Sequence, residues 1–197
     1  SRTLNLDTIA EMINYSASCT LEKASADTSG KYLGGIDFLK ELYQECQALK
    51  SEDMFSELFF NESYHKKLRQ IIADAEKSIK SQQAAFKENS AKLSSPDAEA
   101  VSSAIEKLQD ICWCLEREID NNIDLINNLA RNIKSSGNPE SLRVFKRINA
   151  VLNSLDRLEV RGRDSAGISV IFTFEKDEFE KFRDSMSKAG LYDRLKD

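Results

Sequence analysis

The sequence predicts a mainly α protein: an elongated helical bundle built on a long antiparallel helical hairpin, with one short β element near the C-terminus. Three observations carry that prediction. The 197 residues include only two Pro and seven Gly, too little turn punctuation for a sandwich or barrel of many strands. Apolar residues recur at intervals of three and four over most of the chain. A single segment, Ile168-Ser-Val-Ile-Phe-Thr-Phe174, is β-branched and aromatic with turn residues before it, and reads as a strand.

Taken in order, the first helix is expected from about Asn5 to Ser16, with Leu6, Ile9, Met12 and Ile13 on one stripe. Residues 17 to 35 lose periodicity and carry Gly30, Gly34 and Gly35, which reads as a loop. A second helix follows, with Ile36, Leu39, Leu42, Tyr43, Cys46 and Leu49 at helical spacing. The knot Phe55, Leu58, Phe59 and Phe60 is dense enough to anchor a helix corner, or to form a patch for a partner.

The hairpin occupies the middle of the chain. A long amphipathic helix is expected from Glu62 to about Lys92, with Leu68, Ile71, Ile72, Ala75, Ile79 and Phe86 buried. In Ser94-Ser95-Pro96-Asp97 the helix restarts, with Ser95 as N-cap and Pro96 at the first helical position. The second arm runs through Val101, Ile105, Leu108, Cys112, Leu115, Ile119, Ile123, Ile126, Leu129 and Ile133, a spacing that suits coiled-coil packing. Arms of about 30 residues would reach about 45 Å at 1.5 Å per residue. Trp113 is expected in the core or in a packing groove. After Ser135-Ser-Gly-Asn-Pro139 a helix resumes at Glu140, with Leu142, Phe145, Ile148, Val151, Leu152 and Leu155 on one face, and the chain closes with a helix from Asp177 to about Ala189, stopped by Gly190.

Charge and composition narrow the chemistry. With 28 basic and 33 acidic residues the net charge is −5, which lacks the basic footprint of a nucleic-acid binder and gives anionic membranes nothing to hold. Neither an apolar run of ~20 residues nor a signal-type apolar region is present, so a cytoplasmic location is expected. The chain opens on Ser1 without an initiator Met, as a processed or excised piece would. Cys19, Cys46, Cys112 and Cys114 read as small buried apolar residues in a reducing compartment. On a helix Cys112 and Cys114 point about 200° apart, so they cannot serve one ligand. With His65 as the only histidine, no zinc set and no histidine-based triad can be built, and neither metal nor cofactor is expected.

One segment speaks about chemistry. Leu155-Asp-Arg-Leu158-Glu-Val-Arg161-Gly162-Arg163-Asp164-Ser165-Ala166-Gly167-Ile168-Ser-Val170 places a leucine-rich helix, an Arg-Gly-x-Asp-Ser-Ala-Gly loop and an apolar strand in succession. It resembles the glutaminase domains of class II glutamine amidotransferases, above all those of the glucosamine–fructose-6-phosphate aminotransferase and sugar isomerase family. The resemblance covers residues from about Arg143 to Thr173.

In that family an N-terminal Cys, with its own α-amine as base, hydrolyses glutamine to ammonia through a thioester. The resemblance implies that Arg161 sits near that nucleophile and organises the glutamine pocket, with Asp164 as a partner for its guanidinium. It further implies that Gly162 and Gly167 supply backbone freedom and that Ser165 ties the loop. Position 163 is Arg where the family has Tyr, no Cys-Gly-Ile opens the chain, and none of the four cysteines precedes a glycine. The catalytic residue is therefore not in this chain. What the resemblance then implies is a helical insertion over residues 1–138, followed by a glutaminase-like segment over 139–197. Its partners would be the remainder of the glutaminase and the sugar isomerase domains, or a second copy in a homo-oligomer. The alternative is a non-enzymatic helical interaction module.

Overall fold

A computed structural model describes residues 4–21, 31–130, 133–159, 171 and 173–191. The chain is mainly α, and it divides into two compact units, Ser1–Ser154 and Leu155–Asp197.

In the first unit, α1 (Leu6–Ser18), α2 (Ile36–Ala48), α4 (Glu62–Asn89) and α5 (Ser95–Trp113) form a bundle in which α1 packs on α4 and α2, and α2 and α4 pack on α5. The short α3 (Glu52–Phe60) packs on α4. α1, α4 and α5 each start where a side chain satisfies their orphan donors. Asn5 Oδ1 accepts from Thr8 N–H (3.1 Å), and Asn61 Oδ1 from Ser63 and Tyr64 N–H at the head of α4. At α5 the cap is Ser94, whose Oγ accepts from Asp97 N–H (3.3 Å). Ser95 is therefore the first helical residue rather than the cap, one position earlier than Pro96 suggested.

The α4–α5 hairpin is antiparallel, joined by a 3₁₀ turn at Ser90–Lys92, and the predicted stripe from Leu68 to Ile79 is buried. Its second arm is not one uninterrupted α-helix. α5 widens into a π segment, Cys114–Asp120, where Asn121 N–H reaches Glu116 C=O five residues back, and then continues as α6 (Asn121–Leu129). Nor is its buried surface a two-stranded seam. Ala104, Ile111 and Cys114 are buried along with Val101, Leu108 and Ile119, because α2 and α4 both cover this arm. Trp113 and Leu129 come out of the core instead, and Trp113 is 49% exposed.

Tyr32 and Leu33, which lie in the stretch read as loop, are fully buried. Leu33 N–H donates to Cys19 C=O (2.9 Å), Ser16 Oγ donates to Leu33 C=O (3.0 Å), and Tyr32 Oη donates to Gln82 Oε1 (3.0 Å). These bonds hold Leu33 at φ 55°, a left-handed conformation that costs a non-glycine residue about 1–3 kcal/mol unless its surroundings enforce it. Gly34 follows at φ 88°, where an added Cβ would come within 2.7 Å of Phe38 Cδ1.

α7 (Ile133–Ser136) and α8 (Pro139–Glu159) complete the helices of this part of the chain. On α8, among the residues whose side chains are described, Leu142 and Asn149 alone are buried, with Phe145, Ile148 and Leu152 half-buried.

The described part of the second unit carries α9 (Lys176–Lys188), opened by a reciprocal capping box between Glu175 and Glu178 and followed by Gly190 at φ 68°. The expected strand over 168–174 is not borne out: Ile171, Thr173 and Phe174 are not in a strand, no strand occurs among the described residues, and Ile168, Ser169, Val170 and Phe172 lie outside them. An extended segment needs a neighbour for its backbone groups. Phe174 instead stacks on Phe182 of α9, ring centroids 4.9 Å apart.

Candidate functional site

The residues that the family resemblance singles out, Arg161, Gly162, Asp164, Ser165 and Gly167, lie outside the described residues, as does Arg163. What is described is the helix that leads into them: α8 ends at Glu159, immediately before the loop sequence.

Three other places concentrate chemistry-bearing side chains. The first is a polar cluster where α4 faces the end of the π segment. His65, only 3% exposed, places Nε2 2.6 Å from Asp120 Oδ1. Arg69 donates from Nε to the same oxygen (2.9 Å) and from Nη2 to Asp124 Oδ2 (2.7 Å). The hydrogen bond to Asp120 pushes the Arg69 pKa further up, so the guanidinium stays charged. Closed to solvent and bonded to Asp120, His65 works as a tie between the two arms of the hairpin.

The second is the set of buried thiols. Cys112 lies toward Glu76 and Lys80 of α4, whereas Cys114 lies toward Lys50 and Glu118 on the α2 side. Burial pushes the Cys112 thiol up to about 11 and the Cys114 thiol up to about 12, and raises Cys46 further still. They remain neutral thiols at physiological pH, poor nucleophiles that pack as small apolar groups. Among the described residues no three His, Cys, Asp or Glu side chains are grouped to hold a metal ion.

The third is a groove of about 930 Å³ between α3, the first turn of α4 and α8. Phe55, Phe60 and Leu142 give it an apolar lining. The rest of the Phe55–Phe60 knot, Leu58 and Phe59, is buried and anchors the α3–α4 corner. Phe55, Leu58 and Phe59 thus anchor the corner, the first of the two roles the sequence offered, while half-buried Phe60 faces the groove.

α8 is tied across the groove at two points. Arg143 pairs with Glu52 of α3 and, at 2.9 Å, with Glu140. Lys146 donates from Nζ to Lys50 C=O (2.8 Å) and sits 4.2 Å from the Phe55 ring centroid. Burial pulls the Lys146 pKa down, with Lys50 adding to the effect and Glu52 opposing it. Sequence reading missed Arg143, Lys146 and Arg147 as a group. The signal was their i, i+3, i+4 spacing, which places three cations on one face of α8.

No protein-family model, no curated protein and no solved structure matches the chain. Among the described residues no helix is long and apolar enough to cross a membrane.

Proposed function

We propose that the chain is a segment of a class II glutamine amidotransferase-like protein. Residues 139–197 would contribute the helix and the Arg161–Gly167 loop of a glutaminase region. Residues 1–138 would form a non-catalytic helical insert that binds a partner. The observation that carries the reading is the run Arg161-Gly-Arg-Asp-Ser-Ala-Gly167 placed directly behind a helix that ends at Glu159, the order in which the family sets these parts. The glutamine pocket would be completed by residues outside this chain, the nucleophilic Cys among them.

The experiment is the intact mass and N-terminal sequence of the protein as its native cell makes it, followed by an assay for ammonia release from glutamine. The expected product is far larger than 22.3 kDa, begins with Cys and hydrolyses glutamine. Arg161→Ala should then lower kcat/KM for glutamine by roughly 30-fold or more, the cost of unpairing a buried charge. A product near 22.3 kDa that starts at Ser1 and releases no ammonia overturns the reading. The groove at α3 and α8 favours what then remains, a helical interaction module without an enzyme attached.

A further inference from the structure

We infer that the groove between α3 and α8 receives a single amphipathic helix that carries an apolar stripe, a basic edge and an acidic edge. This deepens the partner-binding half of the proposal above and rests on it, but makes no use of the Arg161–Gly167 loop.

The lining selects the form of the occupant. The walls are helices, whose backbone groups bond within each helix, so the groove offers no strand edge for an extended peptide to pair with. An occupant that buries its own backbone against Phe55, Phe60 and Leu142 must satisfy its N–H and C=O groups internally, which a helix does. Elsewhere on α8, outside the lining of the groove, Val144 is 43% and Val151 48% exposed.

Charge selects the edges. On the α3 side Asp53 and Glu57 are exposed and make no ion pair among the described residues. On the α8 side Arg147 is exposed and likewise unpaired, and Lys146 meets a carbonyl and a ring rather than a carboxylate. The two sides of one apolar trough thus present uncompensated charge of opposite sign. A helix with lysines along one edge and glutamates along the other meets both walls favourably. A helix with like charges on both edges meets one wall of its own sign, at a cost that suppresses wrong partners. Reversing the helix end for end exchanges its edges, so the walls also fix the direction in which it lies.

The test uses three synthetic helices of about 18 residues, identical in their leucine stripe. One has a Lys edge and a Glu edge, the second has Lys on both edges, and the third has Glu on both. Their affinities for the full chain are measured by fluorescence anisotropy at low salt, where surface charges act most strongly. The mixed-edge helix should bind at least about tenfold more tightly than either of the others. In the variant Asp53→Lys/Glu57→Lys both walls become basic, and the preference should move by about tenfold to the Glu-edged helix. Arg147→Glu should move it to the Lys-edged helix. All three side chains are exposed and unpaired, so circular dichroism of the variants should match the parent. Equal binding of the three helices, no binding below about 1 mM, or a preference that charge reversal leaves unmoved overturns the inference. Because Arg161 is not involved, loss of ammonia release with helix binding intact separates a failure of the amidotransferase reading from a failure of this one.

Discussion

α5 with its π continuation and α8 look alike on paper, each a helical run with apolar residues at three and four, yet they occupy opposite situations. α5 is enclosed from two sides by α2 and α4, so Leu108, Ile111 and Cys114 are all buried although they point in different directions. α8 buries one narrow strip around Leu142 and leaves Val144 and Val151 open. The difference teaches that periodicity reveals a buried face, whereas the width of the apolar arc reveals how many neighbours that helix requires. By that measure α5 has its neighbours, and α8 lacks one among the described residues.

The sharpest way to break this contrast is to open a cavity in the enclosed helix. Leu108→Ala removes a side chain that is almost wholly buried and should cost about 2–5 kcal/mol in urea unfolding. A loss under about 1 kcal/mol would mean that the interior of the hairpin collapses around the gap, and that the enclosure is looser than the burial implies.

Next in size is the polar tie between the arms. Asp120→Ala leaves His65 without its partner and takes one of two acceptors from Arg69. The expected cost is about 1–3 kcal/mol, mainly from the stranded polar groups. Asp124→Ala should cost clearly less, because Asp124 is half-exposed and meets only Arg69. Equal costs for the two variants would remove His65 from the account.

The thiols give a pH signature confined to the enclosed region. Their folded pKa values are raised from 9.0 to about 11 for Cys112 and about 12 for Cys114. The unfolded chain therefore loses these protons first as pH rises. The stability they contribute is intact below about pH 9 and falls between about pH 9 and 12. Denaturant midpoints measured at pH 8 and pH 10.5 should show the drop, and replacing Cys112 and Cys114 by Ala should flatten it. A thiol reagent at pH 8 should modify half-buried Cys19 quickly and the other three only on unfolding.

How far the sequence showed all this depends on the physics in play. Helix positions were legible because Leu68–Ile79 and Val101–Ile126 repeat over many turns and Ser94-Ser95-Pro96-Asp97 marks a restart, although the cap proved to be Ser94 rather than Ser95. The burial of Tyr32 and Leu33 was not, since a left-handed Leu held by long-range bonds to Ser16 and Cys19 leaves no periodic trace. The π segment was equally silent, because one extra residue per turn hardly disturbs an apolar spacing. Trp113 misled because its size argues for burial while its position, opposite both α2 and α4, decides exposure. The groove was half visible: Phe55–Phe60 announced an apolar cluster, but the opposing charges of Asp53, Glu57 and Arg147 come together only through the packing of α8. The Arg161–Gly167 run, on which the proposed amidotransferase reading rests, lies outside the described residues and is argued from sequence alone.

The smallest expected effect is the one that bears most directly on the missing neighbour of α8. Val144→Ser and Val151→Ser replace side chains that are nearly half-exposed, and each should change stability by no more than about 0.5 kcal/mol. The same substitutions, measured in the longer protein that the proposal expects, should cost more, since burial of an aliphatic side chain contributes about 1.5–3 kcal/mol when it is complete. The extra cost in the second measurement reads how much of the Val144–Val151 stripe becomes covered. A large cost in the chain by itself would instead show that the outer face of α8 is already packed, and the contrast with α5 would disappear.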